Sequence, residues 1–127
     1  MALKQDLLDH IIIDAAKRSA AVEAAAADLE AVEALAARLQ ASGSGPAHDW
    51  WAIATPHPEH VSIALINYRL ITAAEAAAAL AAAGLEATPA EPTYPGYAND
   101  NSQAFDLAGH SFQAIVQNPV AALLKAA

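Results

Sequence analysis

Residues 2–41, ALKQDLLDHIIIDAAKRSAAVEAAAADLEAVEALAARLQA, run for forty positions without a Gly or a Pro. With no helix breaker in it, the stretch reads as one uninterrupted helix, close to 60 Å long at about 1.5 Å per residue. A compact body built from residues 43–127 is too small to cover such a helix, so part of its length is expected to meet something else.

The larger apolar side chains of this helix fall on a heptad seam. Leu8, Ala15, Val22, Leu29 and Ala36 repeat at seven, and Ile11, Arg18, Ala25, Val32 and Leu39 repeat at seven with an offset of three. Leu7, Ile12 and Leu35 widen the stripe, whereas Asp6, Lys17, Glu23 and Glu30 lie opposite. Such a pattern predicts a coiled-coil or bundle-like helix. Three alanines and Arg18 in the seam weaken it as a free-standing zipper, and an arginine there must pair with an acid or face outward. The half from Val22 to Leu39 is therefore expected to lean on the globular part. The Leu7–Ile12 end is expected to reach another subunit. The expected oligomer contacts are Leu8, Ile11, Ile12, Val22, Leu29, Val32 and Leu39.

Ser42-Gly43-Ser44-Gly45-Pro46 ends the helix and divides the chain into a long oligomerisation or packing helix, 1–42, and a small domain, 43–127. After it the period changes from helical to alternating. Residues 48–55 and 60–70 read as two strands of a hairpin around Pro56-His57-Pro58-Glu59, where two prolines exclude helix. Thr72-Ala73-Ala74-Glu75 is a capping box opening an Ala-rich helix that Gly84 stops. Pro89, Pro92 and Pro95 recur at intervals of three and predict an extended, polyproline-like arm lying across the chain's own or a neighbour's subunit. Residues 103–107 and 111–117 read as a second hairpin, and Asn118-Pro119 opens a short C-terminal helix. The expected fold class is α+β: a long N-terminal helix, an antiparallel sheet of about four strands, one Ala-rich packing helix and a short C-terminal helix.

Composition narrows the partners. Fourteen acids against six bases give a net charge of −8, the wrong sign for nucleic acid or an anionic membrane surface. More than a quarter of the chain is Ala, which buries little area, so a second subunit is expected to complete the packing. Cysteine is absent, removing disulfides, thiolate metal sites and a Cys nucleophile. With no signal-peptide pattern and no long apolar run, an intracellular location without a membrane span is expected.

Three groups have the chemistry of a site. His48, His57 and His60, beside Asp49 and Glu59, are zinc-type ligands, but the prolines deny them the helical geometry of HExxH. An exposed polar hairpin tip is favoured over a metal site. His110 with Asp106 is an acid–base candidate for which a turn is favoured, and the chain lacks G-x-S-x-G, Walker A and G-x-G-x-x-G. Trp50, Trp51, Tyr94 and Tyr97 are the candidates for partner or ligand contact, with one Trp filling the core and the other reaching outward. The reading favoured is a non-catalytic oligomeric assembly or protein-interaction module, without cofactor, whose partners are copies of itself and another protein. The alternative is a small-molecule-binding α+β module, or small enzyme, with a His/carboxylate pocket at a subunit interface.

Overall fold

A computed structural model describes residues 2–98, 101–117 and 119. The forty-residue helical stretch folds as two segments rather than one, α1 (Ala2–Ala24) and α2 (Ala26–Ala41). Between them Ala25 rotates to φ −93°, ψ 6°, and its N–H is shared between the carbonyls of Ala21 and Val22, both at 3.1 Å. No Pro or Gly marks the break, so the pattern of residue types gave no sign of it. Its position is where packing begins: α1 has no buried residue, whereas α2 buries Val32, Leu35, Ala36 and Leu39.

The remaining elements are β1 (Trp50–Pro56), β2 (Val61–Asn67), α3 (Ala73–Ala82), β3 (Ala87–Ala90), β4 (Gln103–Leu107) and β5 (Gln113–Val116). Local sequence sets the ends of α3. Thr72 Oγ1 accepts from the Glu75 N–H at 3.0 Å, while the Thr72 N–H donates to Glu75 Oε1 at 3.2 Å, completing the capping box. At the other end Gly84 takes φ 85°, and the Leu85 N–H returns to the Leu80 carbonyl at 3.0 Å, with the Gly84 N–H on the Ala81 carbonyl. That is a Schellman closure, and its usual apolar pair, Leu80 with Leu85, is buried in the core.

The strands form a five-stranded mixed sheet in the order β1-β2-β5-β4-β3, correcting the expectation of about four antiparallel strands. The fifth strand is β3, cut from the stretch expected to be wholly polyproline-like. Pro89 has no N–H to give, but β3 is an edge strand, where that loss is tolerated. The parallel contact is β2 with β5. Helix α3 links β2 to the far edge of the sheet, and β4 and β5 then step back inward until β5 lies beside β2. The expected C-terminal helix after Asn118 lies outside the described residues.

Strand alternation gives the sheet two buried faces. On the first, Trp50, Leu65, Phe105 and Val116 pack with Val32 and Leu39 of α2 and Leu80 of α3. Each such fully buried side chain contributes about 1.5–3 kcal/mol. The second face is smaller, with Ala64, Ile66, Ala104 and Ile115 packed against Ile53, Tyr97 and Ala98. What covers it is the rest of the proline-rich stretch, residues 91–98, which crosses the chain's own sheet as a strap. Buried Gln113 fastens this strap: its Nε2 donates to the Glu91 carbonyl at 2.9 Å, and its Oε1 accepts from the Thr93 N–H at 2.8 Å. Among the described residues no helix is long and apolar enough to cross a membrane.

Candidate functional site

Two features are left over once the core is built, an exposed helix and a cleft of aromatic rings. The helix is α1. Leu3, Leu7 and Ile11 form one row at a spacing of four, Leu8 and Ile12 form a second row beside it, and all are exposed; Ile11 is 65% exposed. Near its C-terminal end α1 touches the tip of the β1–β2 hairpin. Arg18 Nη1 donates to the Pro56 carbonyl, and Arg18 Nε pairs with Asp14 at 2.8 Å. The arginine in the seam is thus paired with an acid. From Ala2 to about Asp14 the helix projects beyond the body.

The seven expected oligomer contacts separate along the helix. Leu8, Ile11, Ile12 and Val22 are exposed, and Leu29 is half-buried against the core. Val32 and Leu39 are 1% and 0% exposed in the chain's own core, out of reach of a second copy, which corrects their assignment as contacts. The same repeat of seven therefore does two jobs: past Ala25 it packs into the core, and before Ala25 its one hydrogen bond to the body among the described residues is that of Arg18 to the hairpin tip, with Leu8 and Ile11 left exposed.

The second feature assembles at the tip of the hairpin. The His57 N–H donates to the His60 carbonyl at 2.8 Å, closing the turn, and stacks the two imidazoles with centroids 4.6 Å apart and planes 23° apart. Tyr94, brought over by the strap, lies 6.0 Å from His60 with its plane only 12° away. Tyr97 meets Tyr94 edge-on at 6.2 Å and 68°. Register places Thr55 opposite Ser62 on the same face of the sheet. The Tyr97 hydroxyl donates to the Ser62 carbonyl at 3.0 Å and lies 2.6 Å from Thr55 Oγ1, while His57 Nε2 and Ser62 Oγ are 2.7 Å apart. These groups, with Gly96, line a cleft of about 390 Å³.

Four of the candidates, His57, His60, Tyr94 and Tyr97, thus come together, and three do not join them. His48 precedes β1, at the opposite end of a seven-residue strand from His57, about 20 Å away at ~3.3 Å per residue. Its Nδ1 lies 3.2 Å from Ser42 Oγ and 3.3 Å from the Leu39 carbonyl. Among the described residues no three His, Cys, Asp or Glu side chains are grouped to hold a metal ion. Trp50 is fully buried, its Nε1 donating to the Ala47 carbonyl at 2.8 Å, so it is no partner contact. Trp51 is 55% exposed and donates to Asp49 Oδ1 at 2.8 Å. Its place on the outward side agrees with strand alternation. His110 lies against Phe112, with centroids 5.0 Å apart, at the β4–β5 turn. Thr55, Ser62 and Gly96 were not singled out from the sequence; the only signal for the first two is their place on alternating positions either side of the hairpin turn.

No protein-family model, curated protein or solved structure matches this chain.

Proposed function

We propose that the protein is a non-catalytic assembly module that pairs with a second copy of itself through α1. The observation that carries this is a 23-residue helix with no buried residue and with Leu3, Leu7, Leu8, Ile11, Ile12 and Ile13 all exposed. A lone helix of this length has little stability of its own in water, because most helical stability comes from packing an apolar face. Among the described residues nothing buries the projecting part, Ala2 to Asp14.

Charge favours a second copy as the occupant. At roughly 100 Å² of apolar surface from each large side chain, one α1 offers on the order of 500 Å², somewhat below the ~800 Å² per partner of a standard interface. Close packing on Ala15 and Ala16 makes up part of the difference. Helix α1 carries four acids and three bases, a net of −1 against −8 for the whole chain, so two copies meet there with little repulsion. An antiparallel pair with its axis near Asp9 and His10 sets Leu7 and Leu8 against Ile12 and Ile11 of the other copy. That arrangement opposes the helix dipoles and holds the two sheets at opposite ends.

Hydrogen exchange tests the reading on the intact chain. Amides of residues 2–14 are expected to exchange quickly at nanomolar concentration and to become protected at tens of micromolar. Fast exchange at every concentration would mean that nothing covers the helix.

A further inference from the structure

The ring cleft is separate from α1 and is built differently from a packed core. We infer that it is a binding site for a small, uncharged, planar ring system, of the size of an indole or a purine base, stacked against the His60–Tyr94 pair rather than inserted between its rings, which lie 6.0 Å apart.

Lining chemistry selects the class. Among the described residues no Asp, Glu, Lys or Arg lines the cleft, so neither a cation nor an anion finds a counter-charge from them there. The polar groups at its base are already matched to one another: Tyr97 with Ser62 and Thr55, and His57 with Ser62. Flat ring faces remain, and those of His57, His60 and Tyr94 are aligned within 23° and 12° in succession. Aligned faces favour a flat guest, because offset stacking needs near-parallel planes, whereas a bulky aliphatic group gains nothing from the alignment. Tyr97, nearly perpendicular to Tyr94, forms the end wall. Among the described residues the Tyr94 hydroxyl and the His60 ring nitrogens make no hydrogen bond, which leaves them to a ring N–H or ring nitrogen of the guest. A side chain built at Gly96 would meet no atom within 4 Å, so open space adjoins the strap at this point of the wall. The volume of about 390 Å³ falls at the small end of the range for ligand sites.

Histidine NMR on the full-length chain tests the proposal. The chain has five histidines, and His10, His48 and His110 lie outside the cleft as internal references. The probe is indole, with cyclohexanol as a non-planar guest and tetramethylammonium as a cationic one. Indole should shift the ring resonances of His57 and His60 alone and saturate with a Kd of roughly 1 mM, as befits a fragment of nine heavy atoms. Cyclohexanol and tetramethylammonium should bind at least fivefold more weakly. His60→Ala, at an exposed position that leaves the fold intact, should weaken indole about fivefold, and Tyr94→Ala should do the same. Equal shifts at all five histidines, no saturation, or no loss in His60→Ala would overturn the site. Equal binding of cyclohexanol would reduce it to an apolar crevice, and tighter binding of tetramethylammonium would make it a cation cage. Either result refutes a planar, uncharged ligand.

Discussion

Ile11 and Leu39 occupy the same position of the sequence repeat, four heptads apart, yet the first is 65% exposed and the second 0%. Truncating each to Ala therefore isolates what the fold has done with one pattern. Leu39→Ala removes buried carbons between α2 and the sheet, where surrounding side chains are fixed by two elements. A core Leu→Ala change costs 2–5 kcal/mol depending on how far the site collapses, and about 3 kcal/mol is expected here. Ile11→Ala removes no burial within the chain, and Ala is the better helix former by a few tenths of a kcal/mol. The unfolding free energy should then stay within about 0.5 kcal/mol of the parent. Trp50, fully buried, reports unfolding through its fluorescence in urea. With a slope near 2 kcal/mol/M, Leu39→Ala should lower the midpoint by about 1.5 M, and Ile11→Ala should leave it in place. Sub-micromolar protein keeps association of α1 out of the measurement. Equal shifts for the two variants, or a Leu39→Ala shift below about 0.5 M, would refute the division of the helix at Ala25.

Other elements make independent predictions. Thr72→Ala removes the capping box of α3 and should cost about 1 kcal/mol, seen as a fall in Tm of roughly 4 °C by circular dichroism. Asn67→Ala should cost about 2 kcal/mol in the same assay, because the fully buried Asn67 amide serves the Pro46 carbonyl at 2.8 Å and the Arg69 N–H at 2.9 Å. Gln113→Ala unfastens the strap, so the Thr93 amide should exchange faster while those of α3 are unchanged; an unaltered Thr93 rate would show that Tyr97 alone holds it.

Local features were the legible ones. The Thr72–Glu75 box, the stop at Gly84, both hairpins and the inward–outward division of Trp50 and Trp51 follow from residue type and spacing a few positions apart. What escaped depends on residues distant in sequence. Pro89 argued against a strand, and only the edge position supplied by β4 makes β3 acceptable. The break at Ala25 follows from where the sheet begins, not from any residue at the break. For the cleft, each ring could be named in advance, but His60 and Tyr94 are brought together by the strap across 34 positions of chain. His48 is close to His57 and His60 in sequence, but the length of β1 lies between it and their turn.

The central claim is that exposed α1 is covered by a second copy of the chain, and sedimentation equilibrium of the full-length protein beside Leu7→Glu/Ile11→Glu tests it most directly. At tens of micromolar the parent chain should sediment as a multiple of 13.0 kDa, and the double variant at 13.0 kDa with Trp50 fluorescence unchanged. A parent chain of 13.0 kDa at that concentration, or a double variant that keeps the parent's mass, would contradict the account.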